Sequence, residues 1–302
     1  MRKTEHSRQS EQSGGTQEIA RVSGQSALAK LQREQNGSTQ ETRRGGQENE
    51  AARWQEEQEI KSRQGREQVK KIGIIGAMEV EVETLKKDME VGRVVKKAGM
   101  EFHEGVLNGM PVVVVRSGIC KVNAAVCTQI LIDDFGVDGI INTGVGGSLN
   151  AEINIGDIVI STDVVHHDVN AVEFGYALGQ IPQMKVFSFS ADETFAEKAK
   201  AACNRVNPDI TVWRGRICSG DQFVSSQEQK DQIIKAFHGW CTEMEGAGIA
   251  QAAYLNDVPF IIVRAISDKA DNSAYVDYAT FEKKAAEHSV RLVEALMSDL
   301  AQ

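Results

Sequence analysis

The chain changes its pattern near residue 71. Before it, apolar positions are sparse and show no period. After it, short apolar runs alternate with stretches of helical spacing. Ile72-Gly73-Ile74-Ile75-Gly76 is rich in β-branched residues and ends on glycine, which predicts a buried strand. Residues 79–88 then take helical spacing. Residues 101–107 and 111–116 flank Asn108-Gly109 and predict a hairpin, because that dipeptide readily takes the positive φ of a tight turn. A helix over 121–135 follows. Residues 139–143 read as a buried strand running into Gly144-Val145-Gly146-Gly147. Farther on, the pattern predicts a strand over 157–165, a helix over 191–205 and an alternating strand over 211–218. It continues with helices over 227–237 and 246–256, a fully buried strand over 259–266 and a closing amphipathic helix over 280–300. Strands alternating with helices, without internal repeat, predict a single α/β domain of three layers, a central mixed β-sheet flanked by helices.

The break in pattern is also a break in composition. The chain has 302 residues, 41% hydrophobic, and a formal charge of −9. Residues 1–70 hold 12 Gln, 11 Glu, 13 Lys and Arg, and only 13 hydrophobic residues. Such a segment buries too little apolar surface to offset its ordering entropy, so a disordered polar extension is expected, with a transient helix around 48–61. An interaction tail is its functional alternative. Residues 71–302 carry −11 and enough apolar residues for a substantial core. An acidic body argues against nucleic acid as the main partner, since phosphate binding needs clustered Lys and Arg. No run of 18 apolar residues predicts a membrane span. Nor does an apolar core follow Arg2-Lys3 as in a signal peptide. Cys120, Cys127, Cys203, Cys218 and Cys241 have no CxxC spacing and read as reduced thiols of a cytoplasmic protein. His166-His167 has no further ligands at zinc spacing, so the pair reads as polar surface or interface residues, and no metal is expected.

Ligands of α/β sheets bind beyond the carboxyl ends of strands. The glycine run 144–147 lacks the spacing of the dinucleotide fingerprint and of the P-loop. It can still admit a flat ligand close to the backbone, or be a plain turn. Glu79, Glu81, Glu243, Glu245 and Asp268 all fall at strand ends or helix starts. Any one of them can be a cap or a dipole partner. Five at one face point to divided general-acid and general-base work, with Asp268 the acid candidate. Phe223 can stack on a planar base or pack in a core. The loop holding Phe174, Tyr176 and Pro182 can plug a core or cover an apolar ligand group, even on a neighbouring subunit.

From Lys71 onward the chain resembles the 5′-methylthioadenosine/S-adenosylhomocysteine nucleosidases of the nucleoside phosphorylase superfamily. The resemblance is carried by the opening from Lys71 to Glu79, Ser117-Gly118-Ile119, Asn142-Thr143-Gly144, Phe174-Gly175-Tyr176, Ser219-Gly220-Asp221, Glu243-Met244-Glu245 and Arg264-Ala265-Ile266-Ser267-Asp268. It implies that Glu81 activates the attacking water, that Asp268 protonates the leaving purine, and that Ser267 orients Asp268. Met244 and Glu245 would contact the ribose, with Arg264 near the ribose and the water. Ile119 and Gly147 would touch the substrate, and Phe223 and Val224 would hold the base. Phe174 and Pro182 would reach the alkylthio pocket from the other subunit of a homodimer. The departures are Val80 between two glutamates, Cys120 in place of a glycine, Val145 and Gly146 in the glycine loop, and Gly246 and Gly248 in a helix start.

The expected activity is hydrolysis of the N-glycosidic bond of methylthioadenosine and S-adenosylhomocysteine, with 5′-deoxyadenosine a further candidate, in methionine salvage and the methyl cycle. The resemblance implies no cofactor. An aminodeoxyfutalosine hydrolase and a purine nucleoside phosphorylase of the same fold are the alternatives. The acidic opening disfavours a phosphate site.

Overall fold

The computed structural model describes residues 69–302. Apart from residues 69 and 70, the polar extension over 1–70, with its expected helix around 48–61, lies outside the described residues. Among the described residues ten strands form one mixed sheet. Strand β1 (Ile72–Gly76) lies between β4 (Met110–Arg116) and β5 (Gly139–Ser148), parallel to both. Beyond β4 come β3 (Met100–Leu107) and the edge strand β2 (Glu90–Lys97), each antiparallel to its neighbour. On the other side β5 runs parallel to β10 (Phe260–Asp268), which meets β6 (Ile158–His166) antiparallel. Strand β6 runs parallel to β8 (Val212–Ser219), β8 to β9 (Cys241–Glu243), and β9 returns to β5. This half of the sheet therefore closes into a ring. The short β7 (Phe189–Ser190) adds to β6.

The alternation of side chains along a strand separates two apolar cores. Ile72, Ile74, Val112 and Val114 face one side of the sheet, which is covered by α1 (Glu79–Asp88), α3 (Glu193–Val206) and α6 (Ala274–Leu300). Ile75, Val113 and Val115 face the other, covered by α2 (Lys121–Phe135) and α5 (Gly246–Leu255). The three expected layers follow. A third cluster joins α4 (Gln227–Phe237) to the ring through Val165, Cys218, Ile233 and Phe237.

Asn108 and Gly109, at φ 50° and 86°, make the expected hairpin turn. Other features differ from the sequence pattern. Strand β2 is exposed along nearly its whole length, so it leaves no apolar period, and its Arg93, Lys96 and Lys97 suit an open sheet edge. Strand β5 continues through the glycine run to Ser148. Helix α6 begins at Ala274, six residues before its apolar period becomes regular. His166 and His167 are both buried. No helix among the described residues is long and apolar enough to cross a membrane.

Candidate active site

The carboxyl ends of β1, β5 and β10, with the starts of α1 and α5, surround a cavity of about 340 Å³. Four carboxylates line it: Glu81, Glu243, Glu245 and Asp268. The fifth expected member, Glu79, faces outward instead and pairs with Lys86 at 2.9 Å.

Glu81 sits in the first turn of α1, and its side chain folds back over the helix start. Its Oε2 accepts the Ala77 and Met78 N–H groups at 2.7 and 2.9 Å, while Oε1 accepts the Val145 N–H at 3.2 Å. One side chain thus caps the helix and faces the cavity. Burial raises its pKa above the ordinary value, against the opposing pull of Arg264.

Asp268 ends β10. Its Oδ1 accepts the Ala270 N–H at 2.8 Å and its Oδ2 the Ser267 hydroxyl at 2.9 Å. It is 2% exposed, and burial raises its pKa too. A Cβ on Gly144 would lie 2.6 Å from Glu81 Oε1, and one on Gly147 would lie 2.8 Å from Asp268 Oδ1. The glycine run is strand, not turn, and Gly144 and Gly147 make room for these two carboxylates.

Glu243 and Glu245 lie side by side but differ in charge. Glu243 accepts from Arg264, Ser219 Oγ, and the Glu245 and Gly246 N–H groups, the last two at 3.0 and 2.7 Å. Burial alone would raise its pKa, but Arg264 and these donors outweigh it and hold the group ionised. Glu245 accepts the Cys120 N–H at 2.9 Å, and Arg264 stands off at 3.7 Å. Burial and the neighbouring Glu243 anion push its pKa up to about 8. Beside an ionised Glu243, Glu245 therefore favours its protonated form at neutral pH.

Arg264 does not reach the cavity wall. It is 1% exposed and lies behind Glu243 and Glu245, with a further bond to Asn142 Oδ1 at 2.5 Å. The wall itself carries no lysine or arginine. Ile119, Gly147, Phe223, Val224, Met244 and Ser267 do line it, as expected. Phe174 and Pro182 do not; both are exposed, Phe174 to 84%.

Tyr275 and Tyr278 also line the cavity, and Tyr278 meets Phe223 edge-on with centroids 5.9 Å apart. The sequence pattern misses them because the helix was expected to begin only at residue 280. Their spacing of three, after Asp268, is the signal that marks them. Met78, at the first strand end, joins them; its sulfur accepts the Tyr278 hydroxyl at 3.3 Å.

The phosphorylase superfamily matches residues 71–298. A 5′-methylthioadenosine/S-adenosylhomocysteine nucleosidase of Staphylococcus aureus is 45% identical over 230 residues, covering 76% of this chain and all of the relative. The crystal structure of the nucleosidase of that name from Neisseria meningitidis, in complex with methylthio-immucillin-A, superposes with a TM-score of 0.74 at 41% identity, covering 76% of this chain and 100% of that one. A futalosine hydrolase of Helicobacter pylori superposes at 0.72 with 33% identity, covering 76% and 98%. The chain belongs to the 5′-methylthioadenosine/S-adenosylhomocysteine nucleosidase family of the phosphorylase superfamily.

Proposed function

We propose that residues 71–302 form a hydrolase that splits methylthioadenosine and S-adenosylhomocysteine into adenine and the thioribose product. The observation that carries this is the cavity wall, with four carboxylates and no lysine or arginine. A developing oxocarbenium ion is stabilised beside the Glu81 carboxylate, and the wall offers no lysine or arginine to hold a phosphate dianion. Hydrolysis is therefore favoured over phosphorolysis.

In this mechanism Glu81 takes a proton from a water as its oxygen attacks the anomeric carbon. The glycosidic C–N bond breaks, its electron pair goes to the purine, and Asp268 delivers a proton to the purine ring. The burial that raises the Asp268 pKa favours the proton-bearing form. Ser267 orients the carboxyl. Glu245, protonated at neutral pH, can donate to one ribose hydroxyl and accept from another, with Met244 against the sugar. Arg264 acts from behind, by holding Glu243 ionised. Phe223 and Val224 hold the base, and Ile119 and Gly147 complete the substrate contact. No step calls for a metal or redox cofactor.

The proposal includes a homodimer in which Phe174 and Pro182 close the alkylthio end of the neighbouring site. Its support is the exposure of Phe174, and of Ile119, Val122 and Val126 at the cavity rim and along one face of α2. Phe174→Ala is expected to raise KM for methylthioadenosine without lowering the melting temperature. An unchanged KM would remove Phe174 from the site. The free cysteines support a reducing, cytoplasmic setting.

Adenine release from methylthioadenosine, S-adenosylhomocysteine and aminodeoxyfutalosine, compared by kcat/KM, tests the substrate assignment. The first two are expected to lead. A clear preference for the third would move the chain to the futalosine branch.

A further inference from the structure

Helix α4 buries Lys230, Ile233 and Phe237 on its inner face. Ile233 and Phe237 are the residues such a stripe calls for; a lysine is not. Lys230 is only 8% exposed, and a buried ammonium needs a partner. Its Nζ donates to the Lys269 carbonyl at 2.6 Å. Lys269 directly follows Asp268. The next residue, Ala270, is fully buried beside Ile233 and Phe237 and holds a left-handed φ of 53°. Its N–H is the one bonded to Asp268 Oδ1. A second link joins the same segments, from the Gln227 N–H to Asn272 Oδ1 at 3.3 Å. Helix α4 also follows closely on Phe223 and Val224 of the cavity wall. One helix thus ties the base-holding segment to the turn that aims Asp268.

We infer that Lys230 is a positioning residue for Asp268: by clamping the Lys269 carbonyl, its ammonium fixes the turn whose Ala270 N–H orients the Asp268 carboxyl. The inference rests on Asp268 being the proton donor. The clamp is both geometric and electrostatic. Lys230 is faced by Asp231 of its own helix and by Asp268, Lys269 and Asp271 of the turn. Asp268 is faced in addition by Asp271, by Asp277 and Tyr278 of α6, and by Cys241 of β9. The Lys269 ammonium is itself bonded to the Ile153 carbonyl. Removing the Lys230 charge takes away a cation that faces Asp268 while Asp271 and Asp277 stay, so its carboxyl holds a proton to higher pH.

The test uses full-length Lys230→Met, Lys230→Arg and Asp268→Asn, with adenine release from methylthioadenosine followed across pH. Lys230→Met keeps the aliphatic stem and removes the ammonium. It is expected to melt cooperatively, to lose roughly ten- to a hundredfold in kcat with little change in KM, and to show its alkaline limb at higher pH. Lys230→Arg is expected to recover most of the kcat and the original limb. A folded Lys230→Met with wild-type kcat or an unmoved limb overturns the inference. If Lys230→Met does not fold, Lys230→Gln replaces it, keeping a donor without the charge; a shifted limb supports the clamp and an unmoved one overturns it. Asp268→Asn separates the two claims. Wild-type activity there removes the donor assignment. Inactivity there, beside an unaffected Lys230→Met, removes only the clamp.

Discussion

Glu81 and Asp268 each combine a structural bond with a proposed chemical task, and conservative amides separate the two. Glu81→Gln keeps an acceptor for the Ala77 and Met78 N–H groups, so the helix start should survive. Activity should fall by at least about a hundredfold, with the melting temperature little changed. Loss of folding instead would mean that the cap is the residue's main role. Cys120 has φ 78° and ψ 160°, a conformation native to glycine, while its N–H is bonded to Glu245. Cys120→Gly keeps that N–H and relieves the backbone. It is expected to gain on the order of 1 kcal/mol in urea unfolding at unchanged kcat/KM; a loss of stability would contradict the strain. The carboxylates were legible in the sequence because each stands at an element end. Their charges were not. Burial and the Glu243 anion push Glu245 toward its protonated form, and Arg264 pairs more closely with Glu243, an arrangement made by side chains from β9 and β10 meeting in space.

Elements with a clean period were legible to within a residue or two, as with α2, α4 and the β3–β4 hairpin. Where the period failed, another force set the structure. Strand β2 pairs through its backbone with few buried side chains. The glycine run is strand because its backbone pairs with β10 and β9, and it leaves no apolar period because Glu81 and Asp268 occupy the space beside Gly144 and Gly147. Gly248 is a similar case. By helix propensity alone, alanine there should stabilise α5. A Cβ at Gly248, however, would lie 2.5 Å from the Lys121 backbone carbonyl, where α2 and α5 approach. Gly248→Ala is therefore expected to destabilise by about 1–3 kcal/mol. A gain in urea unfolding would show that the helices can part at no cost.

At the scale of the molecule, four carboxylates around one cavity make stability depend on pH. Glu245 has a pKa of about 8 folded, against an ordinary value of 4.5. Its contribution is full below about pH 4.5. It declines from there, because the unfolded chain ionises freely while the folded one keeps its proton, and it levels off only above the folded value. Glu245→Gln cannot ionise, so its unfolding free energy should fall less between pH 5 and 8 than that of the wild type. Parallel curves would contradict the protonated assignment. The same wall bears on the choice of nucleophile. It offers the Glu81 carboxylate to a developing cation and no lysine or arginine to an incoming phosphate. The most direct test is adenine release from methylthioadenosine in phosphate-free buffer, repeated with added phosphate. Full turnover without phosphate, and a free thioribose rather than its 1-phosphate as product, is the predicted result. Strict dependence on phosphate, with the sugar phosphate as product, would contradict it.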